Sequence, residues 1–503
     1  MKRIVLCLVS SLLLIGVAQA EVKLPAIFGN NMVLQQKIAC PVWGWADAGE
    51  DVIVSIAGQT KTAKAATDGQ WSVKLDPLAV GKPLTMTVKG KNELRFENVL
   101  VGEVWIGSGQ SNMQWNVLNS MNAGNEIKGA DFPNIRLITV PRVSKTTPQN
   151  DFVGKWEACS PQNLSEFSAV LYFFGRKLHQ DLKIPVGLIH CSWGGSSCDS
   201  WINRDVIAAD PAFAEIIKRR VDFEKEKPEG GDNRNAGYLY NGMLRPIIGY
   251  GIRGVVWYQG ESNAGRAFQY RTLFPTMIKN WRDEWKQRGG QETLPFYWVQ
   301  LANFKATLDD PADSDWAELR EAQNMTRSLP KSGQAVIIDI GEAKDIHPRN
   351  KQDVGLRLAL LALNNDYGKE QPCESPQFKS VSFDPKTETR PPARRGGGTP
   401  RPAVSVGTGT ATLKFDFVYD GLVSNGAQPT GFSIAGEDKV FHWASAEIVD
   451  KDTVVVRSPK VAKPVAVRYG WADNPVVTLY NSAKLPMDPF RTDDWPGVTV
   501  DKR

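Results

Sequence analysis

Ser111 is the residue of this sequence best placed to act as a nucleophile. It follows an apolar run that ends at Ile106 and the short turn Gly107-Ser108-Gly109-Gln110. A strand that ends abruptly and turns into a helix exposes its turn residue at the sheet edge, beside the first backbone N–H groups of the helix. The pattern differs from the Gly-x-Ser-x-Gly elbow because residue 113 is methionine. A serine before a helix can also be a simple N-cap, so this segment alone leaves both roles open.

The histidines limit the choice of a general base for Ser111. The sequence has four. His179 lies in a predicted helix, His190 in a predicted strand and His442 in the C-terminal β region. We therefore predict that His347 is the base, unless a lysine or a carboxylate takes that role. Asp345, two residues earlier, can bond one imidazole nitrogen and leave the other free to accept the serine proton.

Two other interpretations of Asp345 and His347 stay open at this stage. A hydrolytic metal centre would need further ligands, and only Glu261 stands at a neighbouring strand end. We therefore predict no metal and no cofactor. The pair could also simply cap the last helix of the α/β region.

Acyl transfer also needs hydrogen-bond donors for the oxyanion that develops on the substrate. The candidates are the N–H groups of Ser111 and Gly195 and a side-chain amide from Gln259 or Asn263. Glycine at position 195 would let the backbone approach a substrate closely. The Gly194-Gly195 pair is also ordinary turn chemistry, so this assignment depends on its position after a predicted strand.

Several aromatic and charged residues near the same strand ends are candidates for substrate contacts. Tryptophan rings have an apolar face and a polar edge, which suits stacking on sugars, and they occur here at Trp115, Trp193, Trp201 and Trp257. Trp257 ends an apolar strand and fits the core better. The charged candidates are Glu261, Arg266 and Arg349, and each arginine could hold a carboxylate or could be a solvated charge.

The elements that must position these residues follow an alternating pattern. Apolar runs alternate with amphipathic segments between residues 101 and 365, which predicts a parallel sheet with helices on both faces. The five predicted strands cover residues 101–106, 186–192, 252–257, 296–301 and 335–340. Because ligands bind at the carboxyl ends of such strands, Ser111, Gly195, the segment 259–263 and His347 should meet at one edge.

Short β-type runs flank this region on both sides. Residues 21–100 predict an N-terminal β domain, and residues 366–503 predict a C-terminal β domain. The second of these contains a Pro/Gly/Arg-rich stretch at 386–403, which fits a solvated loop better than a packed element.

The first twenty residues fit a secretory signal peptide cleaved after Ala20, because Lys2 and Arg3 precede a short apolar core. We expect a secreted, periplasmic protein without a membrane span. The net charge of +5 comes from 60 basic and 55 acidic residues that are interspersed, which does not indicate a nucleic-acid partner. In an oxidising compartment Cys191 and Cys198 could form a disulfide, or both could be buried thiols. The oligomeric state stays unknown.

Three motifs carry a likeness to a known family: Gly109-Gln110-Ser111-Asn112-Met113, Trp257-Tyr258-Gln259-Gly260-Glu261-Ser262-Asn263 and Asp345-Ile346-His347-Pro348. With further blocks at 31–36, 41–46, 464–469 and 490–494, the chain resembles the sialate O-acetylesterases, a branch of the SGNH-type serine esterases. The resemblance implies a flavodoxin-like catalytic domain with a Ser111, Asp345 and His347 triad. It also implies removal of acetyl groups from sugars without a metal.

The chain departs from the family pattern at two places. The stretch 390–402 looks like an insertion, which puts the start of the C-terminal domain in doubt. Ser262 stands where the third block of the wider superfamily has asparagine, so the side-chain oxyanion donor stays open between Gln259 and Asn263.

The leading hypothesis is a carbohydrate O-acetylesterase that acts on O-acetylated sialic acid or on hemicellulose-type glycans. Two alternatives remain. The chain could be a carbohydrate-binding protein on an inactive esterase scaffold, or an esterase for lipid or thioester substrates.

Overall fold

The computed structural model describes residues 21–221, 225, 231–291, 293–385 and 409–503. The predicted signal peptide at 1–20 and the predicted loop at 386–403 lie outside these residues.

The N-terminal region is made of short strands with clear alternation of buried and exposed residues. In the third and fifth strands every second side chain is buried, which is the pattern of a sheet with one face on a core. The strands are β1 (Val33–Gln35), β2 (Cys40–Trp45), β3 (Asp51–Ile56), β4 (Gln59–Lys64), β5 (Gln70–Leu75) and β6 (Leu84–Lys89). β2 pairs with β5, and β3 pairs with both β4 and β6, all antiparallel.

The central sheet and the N-terminal region share one long strand, β7. Its strands are β7 (Glu93–Gly109), β8 (Phe132–Thr139), β9 (Glu157–Cys159), β10 (Val186–Ser192), β11 (Gly254–Tyr258), β12 (Phe296–Val299) and β13 (Ser332–Ala335). The first half of β7 pairs antiparallel with β6, and its second half pairs parallel with β10 and β11. The domain boundary predicted at residue 100 therefore falls inside one continuous strand.

The central strands lie in the order β13-β12-β11-β7-β10-β8-β9. All neighbours are parallel except β9, which runs antiparallel at one edge. The five predicted strands take the order 2-1-3-4-5, which is the flavodoxin-like order. The prediction of a five-stranded sheet was wrong, because β8 and β9 extend it beyond β10.

β8 and β13 show why the strand predictions differed from the structure. The buried part of β8 contains Arg136, which is 3% exposed and donates to the carbonyls of Pro133 and Asn31, so a charged residue interrupts the apolar run. β13 ends at Ala335 because Ala335 pairs with Val299, which is the last residue of the neighbouring strand β12. Residues 336–338 are buried but belong to no strand. The apolar run that predicted a strand at 335–340 therefore reflects burial in the core, not pairing with a neighbouring strand.

Helices cover both faces of the central sheet. They are α1 (Ser111–Gln114), α2 (Ala123–Lys128), α3 (Ala169–Leu182), α4 (Arg204–Ala209), α5 (Ala214–Lys218), α6 (Ala267–Gln287), α7 (Asp315–Met325) and α8 (Lys351–Tyr367). The apolar sides of α3 and α8 join one core with Trp105 and Val256. Those of α6 and α7 join a second core with Ile106 and Trp257. Adjacent residues of one strand thus face opposite layers.

The C-terminal region forms separate antiparallel sheets around a third core. Its strands are β14 (Gln377–Asp384), β15 (Thr410–Asp416), β16 (Leu422–Ser424), β17 (Phe432–Ala435), β18 (Phe441–Trp443), β19 (Ser445–Asp450), β20 (Thr453–Arg457), β21 (Ala466–Tyr469), β22 (Leu479–Asn481) and β23 (Phe490–Arg491). The boundary predicted at 365 falls inside α8. Within the described ranges, no helix combines the length and apolar character that a membrane crossing requires.

One buried arginine joins the C-terminal region to the central one. Arg320 of α7 is 0% exposed and donates to the carbonyls of Leu301 and Ala302 after β12. It also donates to the carbonyls of Ala472 and Asp473. These charge-assisted bonds hold the C-terminal region against the strand ends of the central sheet.

Candidate active site

The turn after β7 places Ser111 at the edge of the central sheet. β7 ends at Gly109, and α1 begins at Ser111. Gly109 has φ +135°, and a Cβ atom there would stand 2.1 Å from the Tyr258 carbonyl oxygen. Only glycine fits this close approach of two backbones, so the glycine produces the sharp turn that brings Ser111 to the sheet edge.

The structure places His347 beside Ser111. The distance from His347 Nε2 to Ser111 Oγ is 2.8 Å, which is a hydrogen bond. Partial burial lowers the pKa of His347, and the positive charge of Lys351 lowers it further. A neutral imidazole at this distance can accept a proton from a hydroxyl group.

Asp345 lies on the opposite side of the same ring. Its Oδ1 is 3.4 Å from His347 Nδ1, and the same oxygen accepts the backbone N–H of His347 at 2.8 Å. The side-chain contact is longer than a strong hydrogen bond. The carboxylate fixes the His347 loop through the backbone and stands within ion-pair distance of the ring.

Two backbone N–H groups near Ser111 remain available for an oxyanion. The N–H groups of Ser111 and Gly195 form no hydrogen bond within the part of the chain that the structure describes. The neighbouring N–H of Gly194 is occupied, because it donates to Gln114 Oε1 at 2.7 Å. Gly194 also lies next to the nucleophile: a Cβ there would be 3.2 Å from Ser111 Cβ.

The two candidate amides, Gln259 and Asn263, differ in what they contact. Gln259 is 0% exposed, its Nε2 donates to Asn263 Oδ1 at 2.7 Å, and its Oε1 accepts from Tyr270 at 3.0 Å. Asn263 Oδ1 also accepts the Cys198 N–H at 3.0 Å. Both ends of the Gln259 amide are therefore used inside the protein, whereas the Asn263 oxygen is fixed and its Nδ2 has no protein partner in the described ranges.

The predicted substrate residues fall in different places. Trp115 stacks on His347, Trp193 is half-buried at the end of β10, and the side chain of Arg349 is exposed. Trp201 and Trp257 are 0% exposed, so Trp257 belongs to the core as expected, and Trp201 was wrongly placed at the rim. The Glu261 carboxylate is held inside the protein, because its Oε1 accepts from Asn112 Nδ2 at 2.6 Å and its Oε2 is buried.

A cavity of about 390 Å³ opens beside Gly195 and contains Arg266. The Gly195 carbonyl accepts hydrogen bonds from Ser262 Oγ at 3.1 Å and from Arg234 Nε at 3.2 Å. These bonds connect the cavity wall to the Gly194-Gly195 turn beside Ser111. Besides these residues, the lining consists of Ser197, Asp199, Ile216, Arg219 and Arg220. Of these arginines only Arg266 could be predicted from the sequence, since the others lie far from the strand-end motifs along the chain.

The cysteines and the acidic residues add no further chemistry here. Cys191 and Cys198 are buried and unpaired, so the suggested disulfide is not formed. Burial raises the pKa of the Cys40, Cys159 and Cys373 thiols to about 12. Residues 21–221, 225, 231–291, 293–385 and 409–503 contain no group of three His, Cys, Asp or Glu side chains suited to a metal ion.

The fold and the site define an α/β ester hydrolase. A family model described as "Carbohydrate esterase, sialic acid-specific acetylesterase" matches residues 101–359, and the chain belongs to this family. Human sialate O-acetylesterase is 30% identical over 374 residues, which cover 68% of this chain and 70% of that protein. The mouse enzyme of the same name is 31% identical over 396 residues, which cover 68% of this chain and 73% of that protein.

A solved structure agrees over nearly the whole chain. It is a carbohydrate acetylesterase from Xanthomonas citri with 40% sequence identity and a TM-score of 0.81. The match covers 94% of this chain and 100% of that one. The flanking β regions are therefore part of the shared architecture, together with the α/β region.

Proposed function

We propose that this chain is a carbohydrate O-acetylesterase that works through an acetyl-enzyme on Ser111. The observation that carries the proposal is the 2.8 Å contact between Ser111 Oγ and His347 Nε2. His347 takes the serine proton as Oγ attacks the acetyl carbonyl, and it returns that proton to the sugar oxygen as the C–O bond breaks. His347 then takes a proton from water as the water oxygen attacks the acetyl carbon, and it returns that proton to Ser111 Oγ as the C–Oγ bond breaks and acetate leaves. Asp345 stabilises the imidazolium that forms in both steps.

The tetrahedral intermediate needs donors aimed at its oxygen. The N–H groups of Ser111 and Gly195 supply two of them. We assign the third to Asn263 Nδ2, because both ends of the Gln259 amide are already hydrogen-bonded inside the protein. Gln259 then acts indirectly, since it fixes the oxygen of Asn263 and so directs the Nδ2 group.

The arginine-lined cavity favours an acidic sugar over a neutral hemicellulose unit. Arg219, Arg220, Arg234 and Arg266 line it, and the single carboxylate among them, Asp199, has its pKa raised by burial. Guanidinium groups bind carboxylates through paired hydrogen bonds, which suits the carboxylate of a sialic acid. A sugar with its acetyl ester at Ser111 would extend past Gly195 toward these groups.

The leader predicted at residues 1–20 supports secretion to the periplasm, where exogenous glycans are met. The assay for the catalytic proposal is acetate release from O-acetylated sialic acid and from acetylated xylo-oligosaccharides. Ser111→Ala should abolish release, and Ser445→Ala, at an exposed serine of β19, should leave it unchanged. Substantial activity in a folded Ser111→Ala protein would contradict the assignment.

A further inference from the structure

Lys351, the first residue of α8, is buried in an unusual way. Its side chain is 0% exposed, and its ammonium group lies 5.2 Å from the ring centre of Tyr258. In the described ranges it has no carboxylate within 4 Å, and its one hydrogen bond is to Asn112 Oδ1 at 2.5 Å. Burial of an ammonium group without a paired carboxylate costs free energy, so this lysine is not explained by stability.

The contact with Lys351 determines which way the Asn112 amide points. A lysine can only donate, so the Asn112 oxygen must face Nζ and the NH₂ group must face the other way. Asn112 Nδ2 accordingly donates to Glu261 Oε1 at 2.6 Å and to the Ile346 carbonyl at 3.0 Å. Glu261 Oε2 is buried and has no partner among the described residues, so Asn112 provides the carboxylate's only side-chain hydrogen bond there.

These bonds join the segments that carry the proposed chemistry. Asn112 follows the nucleophile Ser111, and Ile346 precedes the base His347 in the chain. Glu261 belongs to the loop that carries Asn263. A single buried amide therefore connects the nucleophile turn, the base loop and the oxyanion loop.

We propose that Lys351 and Asn112 are positioning residues that hold the His347 loop against the Ser111 turn and keep His347 neutral. This inference rests on the esterase function proposed above. Lys351 acts in two ways: its hydrogen bond orients the Asn112 amide, and its charge opposes protonation of the imidazole.

The charges around Lys351 are consistent with this role. Burial lowers the pKa of Lys351 to about 7, and the negative charges of Glu261, Asp345 and Glu342 oppose that shift. Tyr258 is the other titratable group that faces the ammonium, and burial raises its pKa, which keeps it neutral. For His347, burial and the Lys351 charge lower the pKa, and the contact with the Asp345 carboxylate opposes that shift. At the acidic pH where His347 titrates, Lys351 is still protonated and its charge acts on the ring.

The test uses Lys351→Met, which leaves an unbranched, uncharged side chain one atom shorter than lysine, with Lys344→Met as the matched control. Lys344 is an exposed lysine of the loop that carries His347. We expect Lys351→Met to lower kcat about 10- to 100-fold with little change in KM. We also expect the acidic limb of kcat/KM to move up by about half a pH unit or more. Lys344→Met should show neither change.

Asn112→Asp provides a second, independent variant. The aspartate can still accept from Lys351 but cannot donate to the Ile346 carbonyl, so kcat should fall while thermal unfolding shows a folded protein. A packing defect alone would lower activity without shifting the pH profile.

A direct titration of His347 separates this inference from the catalytic proposal. In protein labelled with ¹³C-histidine, the His347 signal is identified by its loss in His347→Gln, and its midpoint should rise in Lys351→Met. An unchanged midpoint would overturn the inference. If the unmodified protein released no acetate, the proposed function would fail, and the titration would still decide whether Lys351 acts on His347.

Discussion

The indole of Trp115 lies almost parallel to the imidazole of His347, with ring centres 4.7 Å apart and an interplanar angle of 13°. The indole N–H donates to the Asn119 carbonyl at 3.0 Å, which fixes the plane of the tryptophan. One face of the proposed base is therefore covered by a rigid aromatic ring. This contact restricts the imidazole to rotations that keep Nε2 near Ser111 Oγ.

Replacement of Trp115 by alanine should impair catalysis more than binding. Loss of the stack frees the His347 ring, so we expect kcat to fall about 10-fold, with the stack itself worth about 1 kcal/mol. Trp115→Phe, which keeps an aromatic face, should retain most of the activity. Steady-state kinetics on an acetylated sugar provide the measurement. Equal kcat values for the alanine variant and the unmodified protein would show that the orientation of the His347 ring does not depend on the stack with Trp115.

The pH dependence of kcat/KM should reflect the lowered pKa of His347. The reaction needs a neutral imidazole, and both burial and the Lys351 charge disfavour its protonation. The loss of kcat/KM that comes from protonation of His347 should therefore occur below the ordinary histidine value of about 6.5. A pH–rate profile at constant ionic strength measures the midpoint. A midpoint clearly above 6.5 would mean that the base has a different environment or is a different residue.

Arg219 offers a test of the proposed acidic substrate. Its guanidinium lines the cavity and has no hydrogen-bond partner in the ranges that the structure describes, so its removal should not disturb the fold. Arg219→Met should raise KM for an acetylated sialic acid about 10-fold and leave a neutral acetylated sugar unaffected.

The matched control for Arg219 is its neighbour. Lys218→Met removes an equal charge from a side chain that pairs with Glu215 at the surface and does not line the cavity. This variant should behave like the unmodified protein on both sugars. An equal effect of Arg219→Met on the acidic and the neutral sugar would argue against carboxylate recognition in this cavity.

Gly109 tests whether the close approach of two backbones is needed for the nucleophile turn. Gly109→Ala places a methyl group against the Tyr258 carbonyl at a positive φ, so we expect a loss of about 3 kcal/mol in the free energy of unfolding. Gly124→Ala in α2 meets no atom within 4 Å and should be neutral or slightly stabilising. Urea denaturation measures both. Similar unfolding free energies for the two variants would contradict the steric explanation of the turn.

The sequence predicted the parts of the site that depend on strand ends and on rare residue types. Ser111 follows a strand, and His347 is the one histidine outside the predicted helix, strand and C-terminal β region. Both residues follow strands of a parallel sheet, so we expected them to lie at the same sheet edge. In the structure His347 Nε2 lies 2.8 Å from Ser111 Oγ. The family resemblance is confirmed by the comparisons, whereas the catalytic roles stay proposals.

The remaining features depend on contacts that no local pattern reveals. β8 was missed because Arg136 is buried through hydrogen bonds to residue 31, more than one hundred positions earlier. The sequence assigned no role to Lys351, since its partner Asn112 lies 239 positions away. The arginines of the cavity come from three separate segments. Such residues are brought together only by the tertiary fold.

The identity of the nucleophile is tested most directly by labelling with a fluorophosphonate, followed by peptide mass mapping. We expect one equivalent of label on Ser111, with acetate release lost in proportion to labelling, and no label in His347→Gln under the same conditions. Complete inactivation with Ser111 unlabelled, or full labelling of Ser111 with acetate release intact, would contradict it.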